Sequence, residues 1–377
     1  MRNMFGCFTL FPRRNRRLRS RTSNPNLNRN PNPNANPNPS PNPVPQAEIP
    51  TSSSSYVGIV ANEDPSASTS TSGRRFEYLE LVAATGNFLA ESRIGMGGSG
   101  IVYRGTILDT HEEVAIKRLE ANARQDFNFI EKQFDAEVLT LRRANHPNIV
   151  GFIGFCAEGN RRLVVYEYMS LGSLSSHLAE ESARAKMDWN TRMKIAVGVA
   201  RGLEYVHHEM EPPTIYRDMK CGNILLDDEY RPKLSDFGNA LRGDQDNTHE
   251  LVVGTPGYCA PEYAAQVGSQ LTNKADIYSF GVVLLQIISG CKAVYRGHHL
   301  TTSMKPLLLQ RDKFHRIVDH VLKDQYHEKG LYLALQTAEQ CLRENPDDRP
   351  TAAQVARDLE LVSELTISPG SKRHRTQ

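Results

Sequence analysis

The sequence lacks any run of about eighteen apolar residues, the length that a membrane-spanning helix requires. Its longest apolar stretch, residues 277–288, is shorter and is interrupted by polar side chains. Residues 4–11 are too few for the apolar core of a secretory signal, and they run directly into a proline and arginines. We therefore expect neither a transmembrane helix nor a secretory leader.

Cysteine is also scarce, and the six cysteines are scattered without the paired spacing of a metal site. This pattern favours a reducing, cytosolic compartment over an oxidising one and excludes a disulfide scaffold. The cysteines are Cys7, Cys156, Cys221, Cys259, Cys291 and Cys341.

Residues 1–75 have almost no apolar content, since Asn-Pro alternation from 24 to 45 gives way to Ser- and Thr-rich sequence. Such a segment cannot offset the entropy of ordering, so we expect a disordered tail. It carries ten arginines against three carboxylates, whereas the rest of the chain is slightly acidic. Any electrostatic attachment to a partner is therefore expected from the tail.

The start of the tail combines apolar residues with a thiol, because Cys7 lies among phenylalanines and a leucine just before six arginines. This pattern predicts S-acylation of Cys7, supported by attraction of the Arg cluster to an anionic membrane surface. Gly6 is not the second residue, which excludes myristoylation. An Arg-rich transit peptide is the alternative; nucleic acid is not an expected partner.

Residues 94–102 read Ile-Gly-Met-Gly-Gly-Ser-Gly-Ile-Val, a glycine-rich loop in which backbone N–H groups can close over nucleotide phosphates. The motif alone is weak, because dinucleotide-binding turns share it. Here, however, the chain continues as strand-forming sequence to residues 114–117, which read Val-Ala-Ile-Lys. On a strand Ala115 and Lys117 share one face, where the small Ala115 admits an adenine ring and Lys117 reaches the phosphates.

Apolar residues recur at spacings of three and four between Phe127 and Leu141, which predicts an amphipathic helix. Phe127, Ile130, Phe134, Val138 and Leu141 form its expected buried stripe. Glu137 falls inside this stripe, where a carboxylate needs a cation. We expect Glu137 to pair with Lys117.

The strongest catalytic signal is Asp218 with Lys220 and Asn223, followed by the Asp-Phe-Gly triplet that begins at Asp236. Asp218 is expected to accept the proton of a substrate hydroxyl, and Lys220 to neutralise charge on the transferring phosphoryl group. Asn223 and Asp236 offer the oxygen ligands that Mg²⁺ prefers. Together with the upstream motifs, these residues predict a protein kinase that uses ATP and Mg²⁺. The predicted catalytic residues are Asp218, Lys220, Lys117 and Glu137.

Two further carboxylates are predicted to be structural. Glu262 of the Ala-Pro-Glu triplet is expected to pair with Arg349. Asp276 precedes the apolar stretch 277–288 and is interpreted as a buried anchor for the catalytic loop, which begins at residues 215–218.

Residues 76 to about 365 resemble plant receptor-like cytoplasmic kinases, most closely those of subfamily VII. The likeness is carried by residues 76–88, by Leu163-Val-Val-Tyr-Glu-Tyr-Met169 with Gly172, Ser173 and Leu174, and by residues 254–262. The resemblance implies that Tyr166 lines the back of an adenine pocket and that the backbone of Glu167 and Met169 binds adenine. It also implies that Lys220 and Thr255 favour serine and threonine substrates. The predicted nucleotide-binding residues are Ile94, Gly95, Gly97, Gly100, Val102, Ala115, Lys117, Glu167 and Met169.

The chain departs from the family pattern at Ser99, Asn239 and Gln286, none of which removes a metal ligand or phosphate contact. Residues 243–245 read Gly-Asp-Gln where some relatives have a Gly-Asp-Lys cleavage site, so cleavage is not carried over. Between Asp236 and Glu262 the hydroxyls are those of Thr248, Thr255 and Tyr258. The resemblance implies that residues 254–262 form a substrate-docking loop, with Thr255 near Asp218 and Tyr258 packed under that loop. Thr248 is therefore the predicted phosphoacceptor for regulation.

The sequence therefore predicts an α+β, two-lobed protein kinase fold with a small β-rich N-lobe, a large helical C-lobe and a disordered N-terminal tail. We expect the tail at 1–75, an approach helix and N-lobe at 76–169, the C-lobe at 170–365 and a basic C-terminal tail at 366–377. The predicted function is serine/threonine phosphorylation of protein substrates at the plasma membrane or in the cytoplasm, downstream of a receptor kinase. A pseudokinase acting as a binding module is the alternative.

Overall fold

The computed structural model of the chain describes residues 73–120, 127–243, 253–265, 271–322 and 325–365. Several predictions therefore lie outside the described residues. These are the tail up to residue 72 with Cys7 and its arginines, Asp244 and Gln245 of the possible cleavage site, Thr248, and the tail after residue 365. The proposed domain boundaries stay predictions.

The N-terminal part of the described chain is a six-stranded sheet in the order β1-β5-β6-β4-β3-β2. All neighbouring strands pair antiparallel except β1, which runs parallel to β5. The strands are β1 (Arg74–Arg75), β2 (Arg93–Gly97), β3 (Gly100–Thr106), β4 (Glu113–Arg118), β5 (Phe152–Glu158) and β6 (Arg161–Glu167).

The remaining strands are short and pair locally: β10-β9-β7, β11-β8 and β12-β13. They are β7 (Gly172–Ser173), β8 (Thr214–Ile215), β9 (Ile224–Leu226), β10 (Pro232–Leu234), β11 (Leu241–Arg242), β12 (Val294–Tyr295) and β13 (His298–His299). Strands β9 and β10 lie in the chain between Asn223 and Asp236, the two predicted metal ligands.

Helices dominate the second half of the chain, which confirms the two-lobed α+β architecture. The helices are α1 (Tyr78–Ala84), α2 (Phe127–Leu141), α3 (Leu174–Ala179), α4 (Glu181–Arg184), α5 (Trp189–Glu204), α6 (Pro261–Ala265), α7 (Lys274–Ser289), α8 (Leu300–Leu308), α9 (Glu328–Cys341) and α10 (Ala352–Glu364). Within the residues that the structure describes, no helix is both long and apolar enough to cross a membrane.

Helix α1, the expected approach helix, packs on the outer face of the sheet. It begins with a capping box between Glu77 and Glu80. Phe76 and Leu81 are buried with Val114, Ile116 and Val165 of the sheet in one apolar cluster. The outer face of the sheet is thereby closed to water, and its inner face is left to α2 and the nucleotide cleft.

Helix α2 spans the predicted residues, and Ile130, Phe134, Val138 and Leu141 are buried as expected. Phe127 was predicted in the same stripe, and that prediction is wrong, since its side chain is 42% exposed. Phe127 is the first residue of the helix, and its ring lies under the guanidinium of Arg162, 5.2 Å away, rather than in the core.

The core of the helical lobe is α7, which is buried along most of its length. The apolar stretch 277–288 that the sequence singled out forms most of this helix. Helices α5 and α9 pack on α7, and α10 packs on both α5 and α9. Asp276 of α7 connects this bundle to residues 216 and 217 of the predicted catalytic loop.

Candidate active site

A cavity of about 900 Å³ lies between the sheet and the helical lobe. Its walls come from the glycine-rich loop, β4, α2, the segment after β6 and the loop before β9. Every residue predicted to bind nucleotide, to bind metal or to act in catalysis lines this one cavity. The structure thus brings the predicted site together, whereas the role of each residue stays a prediction.

The glycine-rich loop is the turn that joins β2 to β3, with Gly97 paired to Gly100. Gly100 has a φ of 139°, and an added Cβ would collide with the carbonyl oxygen of Arg118. A Cβ at Gly97 or Gly98 would instead meet nothing within 4 Å. The backbone of this turn therefore borders open space large enough for phosphate groups.

Lys117 is buried where β4 meets α2, and it joins two carboxylates. Its Nζ lies 2.7 Å from Oε2 of Glu137 and 2.6 Å from Oδ1 of Asp236. The predicted pairing of Glu137 with Lys117 is therefore present as a contact. Tyr166 donates from its hydroxyl to Oε1 of Glu137 at 2.5 Å, so both oxygens of this buried carboxylate have partners.

Electrostatics favour the charged forms of Lys117 and Asp236. Burial by itself lowers the pKa of Lys117, but Asp236 and Glu137 outweigh it, so the pKa is raised. Burial raises the pKa of a carboxyl, yet Lys117 overcomes this at Asp236, whose pKa is lowered. For Glu137, burial outweighs the attraction of Lys117, and the pKa is raised. The Lys117–Asp236 contact is thus the firmly ionised part of the cluster.

Asp218 is the centre of a second cluster in the loop between β8 and β9. Lys220 donates from Nζ to Oδ2 of Asp218 at 2.6 Å. Thr255 donates from its hydroxyl to Oδ1 of Asp218 at 2.9 Å, and it accepts from Lys220 at 3.1 Å. Asn223 donates from Nδ2 to Oδ2 of Asp218 at 3.0 Å. The expected position of Thr255 beside Asp218 and Lys220 is confirmed.

Asp276 anchors the loop between β8 and β9 by hydrogen bonds to its backbone, as predicted. The backbone amides of Tyr216 and Arg217 donate to its two carboxylate oxygens, both at 2.8 Å. Asp276 is 1% exposed, and its Oδ2 also lies 2.8 Å from Nε2 of His207. Arg217 has a left-handed φ of 69°, a conformation that a non-glycine residue keeps only when its surroundings enforce it.

Asn223 and Asp236 fit a hard divalent cation by the chemistry of their donors. The Nδ2 group of Asn223 is oriented by Asp218, and the side chains offer amide and carboxylate oxygens, the ligands that Mg²⁺ takes. Ser235 links the two positions, because its backbone amide donates to the carbonyl of Asn223 at 2.9 Å. In the described residues, no group of three or more His, Cys, Asp and Glu side chains forms a metal cluster.

The end of β6 and the segment after it line one edge of the cavity. The backbone amide of Glu167 donates to the carbonyl of Gly151 at 2.9 Å, and its carboxylate accepts from Lys233 at 2.7 Å. An adenine contact at Glu167 is therefore left to its carbonyl group. Met169 is buried and lines the same edge.

Sequence reasoning missed some residues of the cavity. Leu225 lies half-buried between the buried Ile224 and Leu226 of β9 and faces the cavity. Because side chains alternate along a strand, the pattern of residues 224–226 could have identified Leu225 as the residue that faces the other way. Ser99, noted only as a departure from the family, donates to Oδ2 of Asp236 at 3.3 Å. No pattern in the sequence joins two positions so far apart.

Outside the cavity, the predicted structural ion pair is present. Arg349 donates from two nitrogens to the two carboxylate oxygens of Glu262, at 2.6 and 2.7 Å. Arg349 is buried, and the pair ties α6 to the turn before α10. Ser279 of α7 donates to the carbonyl of Tyr258 at 2.7 Å, which fixes the docking loop on the helical lobe.

A known protein family and several curated proteins match the region of the chain that contains this cavity. Residues 88–359 match the family model described as protein kinase domain. The chain is similar to Probable serine/threonine-protein kinase PBL5 of Arabidopsis thaliana, at 47% identity over 312 residues, which cover 80% of this chain and 72% of the relative. It is similar to Probable serine/threonine-protein kinase PBL7 of the same plant, at 48% over 303 residues, covering 78% and 79%. It is also similar to Serine/threonine-protein kinase PBS1, at 43% over 314 residues, covering 80% and 68%.

Proposed function

Because this chain belongs to the protein kinase family and is a serine/threonine-protein kinase, we propose that its catalytic step is carried by Asp218, with Lys220 and Lys117 beside the phosphates. The observation that supports this most is the Asp218 carboxylate, held by Lys220, Thr255 and Asn223 at the floor of the cavity. The predicted resemblance to plant receptor-like cytoplasmic kinases is confirmed by the same relatives. The pseudokinase alternative gains no support from them, since each is named as a kinase.

ATP and a divalent metal follow from the family, and we propose Mg²⁺ as the metal, held by Asn223 and Asp236. When bound, the cation neutralises phosphate charge that develops during the transfer. Ile94, Val102 and Ala115 would enclose the adenine, and the carbonyl of Glu167 with the backbone of Met169 would fix its edge. Gly95, Gly97 and Gly100 would present backbone N–H groups to the phosphates.

In the reaction that we propose, the serine or threonine hydroxyl of the substrate lies against Asp218. The hydroxyl oxygen forms a bond to the γ-phosphorus, the bond from that phosphorus to the bridging oxygen breaks, and ADP leaves. Asp218 receives the hydroxyl proton. Lys220 stabilises charge on the transferring group, and Lys117, positioned by Glu137, holds the phosphates that remain.

Purified protein with ATP, magnesium and a generic substrate tests this proposal, with phosphosite mapping as the readout. We expect phosphoserine and phosphothreonine in the wild type. Asp236→Asn should abolish metal-dependent transfer because it removes a charged metal ligand. Equal phosphate incorporation by wild type and Asp236→Asn would show that the assigned metal position is wrong.

We further propose that the kinase relays signals from an upstream receptor kinase at the cytoplasmic face of the plasma membrane, attached through acylated Cys7 and the neighbouring arginines. One acyl chain binds a bilayer only marginally, and each nearby Arg adds about 1 kcal/mol at an anionic surface. Cys7→Ser and an Arg13/Arg14/Arg16/Arg17→Ala variant should both leave the membrane fraction. If both sediment like the wild type, the attachment is wrong; import with loss of the N-terminus would indicate a transit peptide instead.

A further inference from the structure

A small hairpin follows α7 and presents basic side chains beside the substrate end of the site. It consists of β12 and β13, with Val294 paired to His299 and Tyr295 paired to His298. Arg296 and Gly297 form its two-residue turn, with φ values of 49° and 79°. Two positive φ values in succession are typical of a type I′ turn, in which Asn or Gly normally takes the first position. An arginine there is unfavourable for the backbone, which points to a role for its side chain.

The hairpin lies directly against the docking loop, residues 254–262. A Cβ added at Gly257 would come within 2.5 Å of Cγ2 of Val294 and 3.4 Å of Cβ of Ala293. Two residues earlier in the same loop, Thr255 donates to Asp218. Two residues of backbone span at most about 7 Å. A substrate that follows the docking loop away from Asp218 therefore meets the hairpin within a few residues of its acceptor hydroxyl.

The base of the hairpin is fixed. Ala293 and Leu300, which flank the two strands, are each 5% exposed, and the amide of Leu300 donates to the carbonyl of Ala293 at 2.8 Å. Gln286 of α7 donates to the carbonyl of Cys291 at 3.2 Å, just before the first strand. The exposed tip is thus held at a constant distance from the docking loop.

The hairpin is basic at its tip, where Arg296 lies, and just before its base, where Lys292 lies. Lys292, Arg296, His298 and His299 are exposed, and the guanidinium of Arg296 lies 5.3 Å from the centre of the Tyr295 ring. Each carboxylate that lines the cavity contacts a cation, in the pairs Glu137–Lys117, Asp236–Lys117, Asp218–Lys220 and Glu167–Lys233. The hydroxyls of Ser170, Ser173, Ser175 and Ser176 complete the rim without charge.

We propose that the β12–β13 hairpin selects protein substrates that carry acidic side chains close to the phosphorylated serine or threonine. This inference rests on the proposed kinase function and adds the substrate class. Lys292 and Arg296 supply the attraction, and the imidazole of His299, on the same face of the hairpin as Val294, supplies a hydrogen-bond donor to a carboxylate. Exposed charges of this kind act on specificity and on the rate of encounter more than on the chemical step.

The test uses the full chain and two peptides that share one acceptor serine, one with aspartates flanking the acceptor on both sides and one with asparagines. We expect the wild type to prefer the acidic peptide by about three- to tenfold in kcat/KM, the size that a few exposed ion pairs provide. The preference should shrink when salt is raised from about 0.05 M to about 0.5 M, because exposed charges are screened. Moving the aspartates one position at a time then locates the contact.

Lys292→Glu/Arg296→Glu should abolish or invert the preference, and Lys292→Gln/Arg296→Gly should abolish it. The second variant relaxes the turn, since glycine adopts positive φ freely, so it guards against a folding defect in the first. Lys194→Glu is the matched control, because Lys194 is exposed on α5, which packs on α10 and β10. It should keep the wild-type ratio.

The possible outcomes distinguish a failure of the proposed kinase function from a failure of the proposed substrate preference. No transfer to either peptide by the wild type would overturn the kinase function and this inference with it. Transfer to both at one rate, or an acidic preference that survives in both hairpin variants, would overturn the inference alone. A loss of binding to vesicles of anionic lipid in the hairpin variants, with an unchanged peptide ratio, would assign the hairpin to a membrane surface and also contradict the proposal.

Discussion

Glu131 of α2 and Arg162 of β6 form a buried ion pair that fastens the helix carrying Glu137 to the sheet. Arg162 donates from Nη2 to Oε1 of Glu131 at 2.9 Å, and its Nε lies 2.6 Å from Oε2. The side chain of Arg162 is 5% exposed and that of Glu131 is 3% exposed. Arg162 also donates from Nη1 to the carbonyls of Gly159 and Arg161, at 2.9 and 2.8 Å.

Replacing Glu131 with leucine should strongly lower the free energy of unfolding, because the guanidinium stays buried without its carboxylate. Breaking one side of a buried pair costs about 3–5 kcal/mol. In a folded region of this size, each kcal/mol lowers the melting temperature by about 2–3 °C, so we expect a fall of roughly 6–15 °C. The double variant Glu131→Leu/Arg162→Met leaves no buried charge at the position of this pair. Only two carbonyls lose a donor, at about 1 kcal/mol each, so the double variant should be more stable than Glu131→Leu.

Thermal and urea unfolding of the wild type, both single variants and the double variant measure this coupling. Glu113→Gln is the control, since Glu113 pairs with Arg104 on the surface, where both side chains are about half exposed, and it should leave the midpoint nearly unchanged. If the double variant loses the sum of the two single losses, the pair is not coupled and the reasoning fails. A kinase assay on the same proteins reports whether loosening α2 lowers kcat through Glu137.

Substitutions at Thr255, Thr248 and Asp236 give three further predictions. Thr255→Ala should lower kcat/KM by about tenfold or more, because it removes a hydrogen bond to a charged group, whereas Thr255→Ser should keep most activity; equal rates would refute the role. Thr248→Ala should keep substantial activity, and a loss as large as that of Asp218→Asn would show a phosphate switch at Thr248. The pKa of Asp236 is lowered by Lys117 from 3.8, so its contribution to stability should be complete above about pH 4 and lost as the pH falls through the lower folded pKa. Unfolding of wild type and Asp236→Asn between pH 7 and pH 3 measures this, and parallel curves would contradict it.

Much of the site was predictable because its chemistry lies in short motifs whose order in the chain is fixed. Lys117 was assigned from the strand that follows the glycine-rich loop, and Glu137 from its place inside an apolar stripe. Both residues meet in the structure at 2.7 Å. Asp276 was placed under the catalytic loop because a carboxylate before an apolar helix needs buried donors. In each case the environment of one residue limited its partners to very few.

The parts that could not be predicted are contacts between positions that no local pattern relates. The Glu131–Arg162 pair, the hydroxyl of Tyr166 on Glu137 and the Ser99 contact to Asp236 depend on how strands and helices align in space. Phe127 was predicted to be buried from its spacing alone. Periodicity does not show whether the first residue of a helix still contacts the core. The position of the β12–β13 hairpin against Gly257 likewise depends on how α7 ends.

Single-turnover phosphoryl transfer to a serine substrate by wild type and Asp218→Asn, at saturating ATP and Mg²⁺, tests whether Asp218 is the catalytic base. We expect the transfer rate to fall by about 10²- to 10⁴-fold, as on losing a general base, while nucleotide affinity changes little. Asp312→Asn makes the same chemical change on an exposed residue outside the cavity and should transfer at the wild-type rate. Transfer by Asp218→Asn at the wild-type rate would contradict the assignment of Asp218 as the catalytic base.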